Sequence, residues 1–173
     1  KVALVTGAAN GIGRGIALQF AAQGAAVGIL DRDEDGARCV AASLSARGRR
    51  SLALPADVSR ADAVRNSVRR LVTELGPPAI RVHAAGIMPT GTLEETSEED
   101  WDRVYAVNAK GAFLTCREVL PLMREAGGGS IVLMASITGV SGLPGLAAYS
   151  GTKGALIALA RALAIDHAAE GIR

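Results

Sequence analysis

Thr6-Gly7-Ala8-Ala9-Asn10-Gly11-Ile12-Gly13 joins a short apolar run, Val2 to Thr6, to a helical pattern that begins at about Ile12 and stops at Gly24. The order is strand, glycine turn, helix. Glycines at such a junction let the backbone turn sharply and approach a pyrophosphate, whose charge the unpaired N–H groups of the helix N-terminus stabilise. The spacing departs from the common Gly-x-Gly-x-x-Gly fingerprint, so the turn alone also reads as a tight connection. Asp31 favours the first reading. It follows a second apolar run, Ala26 to Leu30, at the position where a carboxylate accepts hydrogen bonds from an adenosine ribose and repels an added 2′-phosphate. NAD is therefore the expected dinucleotide, with Gly7, Asn10, Gly11, Ile12, Gly13 and Asp31 as candidate contacts. Arg32 beside the carboxylate and Arg14 after the glycines keep NADP open as the less favoured choice.

The same alternation continues outward from this unit. Asp33 to Arg47 reads as a helix, Leu52 to Leu54 as a third strand closed by Pro55, and Arg60 to Leu75 as a further helix. Gly76-Pro77-Pro78 ends that helix before a fourth strand, Ile80 to Ala84. Thr96-Ser97-Glu98-Glu99-Asp100 supplies the cap and acidic first turn of one long helix reaching about Glu125. Ile131 to Ala135 is expected as the fifth strand and Tyr149 to Glu170 as the last long helix. Strands that are apolar on both faces and alternate with helices imply an α/β fold, a doubly wound parallel sheet of the Rossmann kind. No linker or repeat interrupts residues 1–173, which are assigned to one dinucleotide-binding domain. Asp57-Val58 falls at the carboxyl edge of the third strand, near the adenine side of such a site, where Asp57 also suits a helix cap.

Composition narrows the function classes. Of 173 residues, 49% are hydrophobic and 3% aromatic, and the net charge is +2 with both signs interspersed. Neither a basic stripe nor an aromatic surface points to nucleic acid, and no apolar run approaches the roughly 20 residues that span a bilayer. Cys39 and Cys116 are isolated and are expected as buried thiols, with neither a disulfide nor a metal site indicated. A cytoplasmic setting is expected. His83 and His167 lack neighbours that would make a ligand set and are read as structural.

Near the end of the chain stands Tyr149-Ser150-Gly151-Thr152-Lys153, with Ser136 upstream at the end of the fifth strand. Residues at i and i+4 share a helix face, so the phenol and the ammonium would project together. A free phenol ionises near pH 10, and a neighbouring cation favours the phenolate. Lys1, Lys110 and Lys153 are the only lysines, so a lysine beside one of two tyrosines stands out from an arginine-rich surface.

Taken together, Thr6-Gly7-x-x-x-Gly11-Ile12-Gly13, Asp57-Val58, Ala85-Gly86, Asn108, Ser136 and Tyr149-x-x-x-Lys153 resemble the short-chain dehydrogenase/reductase family in its simpler single-domain branch. The resemblance runs over the whole chain. One departure is visible: His83-Ala84-Ala85-Gly86 stands where the family usually has Asn-Asn-Ala-Gly. The resemblance implies that Tyr149 is the general acid/base and that Lys153 favours its phenolate and bonds the nicotinamide ribose. It further implies that Ser136 holds the substrate oxygen, and that Asn108, through its side chain and a local helix distortion, holds a water linking Lys153 to solvent.

The implied activity is hydride transfer between NAD(H) and a secondary alcohol or ketone. An NADPH-dependent ketone or 3-oxoacyl thioester reductase is the closest alternative, and a dinucleotide-binding module without turnover the alternative from another class. Met88, Leu143 and Leu146 are candidate pocket residues. Family members pair such helices as 97–125 and 149–170 across a two-fold, implying a homodimer or homotetramer. They also continue past the last helix with further strands and a substrate loop, so the chain is expected to be a C-terminally incomplete domain.

Overall fold

A computed structural model describes all residues, 1–173. Five strands, β1 (Val2–Thr6), β2 (Ala26–Asp31), β3 (Ser51–Pro55), β4 (Ile80–His83) and β5 (Ser130–Leu133), form one parallel sheet in the order β3-β2-β1-β4-β5. The order reverses between β1 and β4. In an open α/β sheet this reversal leaves a crevice beyond the carboxyl ends of the two strands, here at Gly7 and at Ala84–Gly86.

Alternation along the strands sends side chains into two cores. Leu4, Leu30 and Leu54 meet Val64, Val68 and Leu71 of α3 (Ala61–Leu75) and Leu114, Val119 and Met123 of α5 (Gly111–Glu125). Val5, Val27, Ile29 and Val82 meet α1 (Gly11–Ala22) and α2 (Glu34–Ser45) on the other face. Alanines 17 and 21 let α1 lie close to the sheet. On the opposite face Gly28 lets α3 approach, because a Cβ there would stand 2.5 Å from Leu71 Cδ1 and 3.0 Å from Leu54 Cδ1.

Three expectations are corrected. The helix expected from about residue 97 to 125 is divided, at the place where the resemblance implied a local distortion around Asn108: α4 (Glu98–Tyr105) gives way to a π-helical turn, Ala106–Lys110, before α5. Gly111 presses on the chain after β3, where a Cβ would lie 2.8 Å from Val58 Cγ2, while the Asn108 carbonyl turns to His83. The wider turn accommodates both contacts. Cys39 is exposed rather than buried, because α2 buries the i, i+3, i+4, i+7 set Ala37, Val40, Ala41 and Leu44 and turns Cys39 away. Cys116 is buried, and burial raises its thiol pKa. The last helix, α7 (Ala147–His167), finishes in a 3-10 turn at Ala168–Glu170, preceded by a short α6 (Thr138–Ser141) that the sequence pattern did not announce.

Beyond that turn the backbone runs back beside β5. Ile131 N–H donates to the Arg173 carbonyl at 2.7 Å and Arg173 N–H to the Gly129 carbonyl at 3.1 Å. No helix is long and apolar enough to cross a membrane.

Candidate active site

The glycine turn owes its shape to contacts a side chain would block. Gly7 has φ +65°, and a Cβ there would stand 2.6 Å from the Ala85 nitrogen and 2.7 Å from its Cα. A Cβ on Gly13 would collide with the Gly7 carbonyl oxygen. The turn therefore folds flat against the segment after β4 and leaves backbone N–H groups at the start of α1 facing the crevice. Asp31, at the end of β2, is held by that turn and by its own neighbours: Oδ2 accepts from Ala9 N–H at 2.9 Å and Oδ1 from Asp33 N–H at 3.0 Å. Asp57 is also fixed, its Oδ1 accepting from the Ser59 N–H at 2.9 Å and hydroxyl at 2.7 Å. Gly7, Asn10, Asp31, Arg32, Asp57, Val58, Ala85 and Gly86 line one continuous crevice.

A second crevice adjoins it at Gly86 and Ile87, lined further by Ile12, Met88, Met134, Ala135, Tyr149 and Lys153. The i, i+4 spacing on α7 does what it promised geometrically: Lys153 Nζ lies 5.4 Å from the Tyr149 ring centre. The ammonium donates to the Met134 carbonyl at the end of β5, at 2.6 Å. Burial lowers its pKa from the ordinary lysine value. Gly139 brings α6 onto this part of α7, since a Cβ there would sit 2.7 Å from the Lys153 carbonyl carbon. Ser136 stands just before α6, its hydroxyl accepting from Thr138 N–H at 3.2 Å and Oγ1 at 3.0 Å. It does not line the second crevice, nor do Leu143 and Leu146.

Asn108 is buried in the π-turn behind both crevices. Its Oδ1 accepts from Ile87 N–H at 2.9 Å, and its Nδ2 donates to the Ile87 carbonyl at 2.9 Å and to Thr152 Oγ1 at 3.0 Å. Thr152 in turn donates to the Tyr149 carbonyl at 2.7 Å. One amide thus ties the chain after β4 to the turn of α7 that carries Tyr149 and Lys153. A Cβ on Gly86 would lie 3.4 Å from Asn108 Oδ1 and 3.8 Å from Lys153 Nζ, so the three groups meet at one point.

Residues 1–173 match the short chain dehydrogenase family throughout. The chain belongs to that family. It is 41% identical to an uncharacterised oxidoreductase of Thermotoga maritima over all of this chain and 68% of that protein. With a 3beta-hydroxysteroid dehydrogenase of Mediterraneibacter gnavus it shares 37% identity over 99% of this chain and 62% of the relative. Among solved structures, a 3-ketoacyl-ACP reductase from Sinorhizobium meliloti superposes with a TM-score of 0.97 at 40% identity, covering this whole chain and 69% of that one. The chain thus spans about two thirds of these relatives.

The short-chain dehydrogenase family implies a nicotinamide dinucleotide, and the turn fits one. Gly7 and Gly13 keep clear a backbone cradle that a Cβ would fill, and the Asp31 carboxylate stands beside it with lone pairs to spare beyond its two backbone bonds. Sequence reasoning missed Thr152, whose place inside the Tyr-x-x-x-Lys spacing is a usable signal, and Arg81, a charge in the middle of an apolar strand pattern.

Proposed function

We propose that this chain carries the cofactor and acid/base portion of an oxidoreductase that interconverts a secondary alcohol and a ketone with NAD(H). The observation that carries this reading is the shared crevice of Tyr149 and Lys153, continuous through Gly86 with the glycine-turn crevice. The dinucleotide, when bound, supplies the hydride acceptor or donor. The chain's own residues then manage position and proton. Tyr149 gives or takes the proton at the substrate oxygen, and the Lys153 ammonium stands 5.4 Å from its ring centre. The Ser136 hydroxyl, which accepts from Thr138 and keeps its own proton free to donate, holds the substrate oxygen, and Asn108 keeps α7 in place through Thr152. The glycine turn, Arg32, Asp57-Val58 and Ala85-Gly86 seat the dinucleotide, with Asn10 and Ile12 at the mouth.

Asp31 supports NAD over NADP: its carboxylate is pinned at the crevice wall, where a 2′-phosphate would meet a fixed negative charge. Arg32, lining the same crevice, favours the NADPH-linked reductase of a ketone or 3-oxoacyl thioester as a second reading. The names of the relatives, a hydroxysteroid dehydrogenase and a ketoacyl reductase, span both.

Tyr149→Phe tests the proposal. It is expected to lower turnover by about 10²- to 10⁴-fold, followed by NADH absorbance across a panel of alcohols and ketones, while dinucleotide binding by fluorescence titration stays within about twofold. Retained turnover in this variant would sink the assignment.

A further inference from the structure

Arg81 lies at the centre of β4, wholly buried, with no carboxylate beside it. All its hydrogen bonds leave from Nη2: to His83 Nδ1 at 3.1 Å, to the Ala112 carbonyl at 3.3 Å and to Thr115 Oγ1. The Thr115 hydroxyl spends its own proton on the Gly111 carbonyl at 2.8 Å, which leaves its lone pairs for the guanidinium. Nε and Nη1 reach no acceptor. As packing this is a poor choice, because a buried charge loses its hydration and an aliphatic side chain would fill the space without that loss. Departures of this kind gather where function outweighs stability.

His83, two residues on, shows what the guanidinium does. A carbonyl only accepts, so the 3.2 Å contact from His83 Nε2 to the Asn108 main-chain oxygen requires the proton on Nε2. Nδ1 is then the acceptor, and it receives Arg81 Nη2–H at 3.1 Å and the Thr6 hydroxyl at 3.1 Å. Thr6 is itself oriented by the Ala85 N–H, which donates to Oγ1 at 3.3 Å. A proton on Nδ1 would face a cationic donor, so Arg81 holds the ring neutral and in one tautomer. The charged and titratable groups acting on the imidazole are Arg81 on its own strand and Lys153 on α7, with Cys116 on α5 beyond the guanidinium. Neither cation tolerates a second positive charge there.

We infer that the Arg81–His83 pair is a positioning device for the acid/base site: it pins the Asn108 carbonyl and so aims the Asn108 amide at Thr152, between Tyr149 and Lys153. The chain runs from Arg81 Nη2 to His83, to the Asn108 backbone, through the Asn108 side chain to Thr152, and from Thr152 to the Tyr149 carbonyl. Neither Arg81 nor His83 lines the crevices, so both act through Asn108. This inference rests on the hydride-transfer reading for its effect on turnover, but its structural core does not.

The experiment uses the full-length protein and two readouts. Long-range 15N–1H spectra are expected to show His83 as the Nε2–H tautomer, unchanged from about pH 5 to about pH 8. Arg81→Met should release His83 into a tautomer mixture or a titration within that range. For turnover, His83→Leu is expected to lower kcat about tenfold or more with KM for the dinucleotide within about twofold, and His83→Gln, which keeps a donor for the carbonyl, should restore it. A His83 that titrates with Arg81 in place, or a His83→Leu enzyme with parental kcat, would overturn the inference. Should the parent itself transfer no hydride, the hydride-transfer reading fails, and the tautomer spectra with and without Arg81 still decide this one.

Discussion

The core that packs α1 and α2 on the sheet is apolar throughout and rich in alanine, whereas the interior between β4, the π-turn and α7 holds a guanidinium, an imidazole, an amide, a threonine hydroxyl and an ammonium. The two regions flank the β1–β4 reversal: the glycine turn lines one crevice, and of the buried polar groups only Lys153 lines the adjoining one. On the first side the working groups are backbone N–H groups and one carboxylate, positioned by the absence of side chains at Gly7 and Gly13. On the second, Arg81, His83, Asn108 and Thr152 form one buried polar chain, and Lys153 is held by the Met134 carbonyl. A site built from backbone is damaged by adding atoms, and a site built from side chains by removing them.

Gly7→Ala tests the first half of that contrast and carries the larger effect. The new Cβ would meet Ala85 backbone atoms at 2.6 and 2.7 Å at a φ of +65°, which only glycine adopts without strain. The turn must then shift away from the β4 extension. Dinucleotide affinity is expected to fall roughly a hundredfold, about 2.7 kcal/mol, in a binding titration. Unfolding stability should fall as well, by about 1–3 kcal/mol. An alanine variant that binds normally would show that the cradle is not where the pyrophosphate sits.

That half of the molecule was legible in the sequence because glycines, a strand-end aspartate and uniformly apolar strands are local signals. The sheet, its parallel order and the placing of Tyr149 beside Lys153 follow from pattern and spacing. The polar half was legible only in part. Asn108 sits within a run that reads as continuous helix, and the π-turn that buries it comes from tertiary contacts with Val58 and His83 that no local propensity encodes. Likewise Ile80-Arg81-Val82-His83 alternates as an amphipathic strand would, although both faces are covered. The short α6 escapes pattern reading for its length of 4 residues.

Asp31→Ser sharpens the comparison at smaller amplitude, since it removes a charge from the backbone half while adding no atom to the turn, at the cost of the carboxylate's bonds to Ala9 and Asp33 N–H. Its carboxylate is part-exposed and next to Arg32, so solvent screens its repulsion of a 2′-phosphate. The ratio of kcat/KM for NADP over NAD is expected to rise about tenfold, roughly 1.4 kcal/mol. An unchanged ratio would move cofactor choice to Arg32 and Arg14.

A further effect belongs to the polar half and concerns stability against pH. Burial first, and then the Arg81 charge, hold the His83 pKa well below its ordinary value near 6.5. An unfolded chain binds a proton on this histidine as pH falls below about 6.5, and the folded protein does not, so acid favours unfolding through this group. Its contribution is complete above about pH 6.5 and is lost progressively below, with a slope of at most about 1.4 kcal/mol per pH unit until the folded ring also titrates. The carboxylates with lowered pKa values, Asp62, Glu95 and Glu170, respond only nearer pH 4.5 and below. Urea midpoints measured between about pH 7 and about pH 5 should therefore decline in the parent and stay nearly flat in His83→Gln, whose amide has no proton to gain. Equal slopes in the two proteins would mean that the imidazole takes up its proton in the folded state, and the contrast between an apolar and a charge-guarded interior would lose its most direct thermodynamic sign.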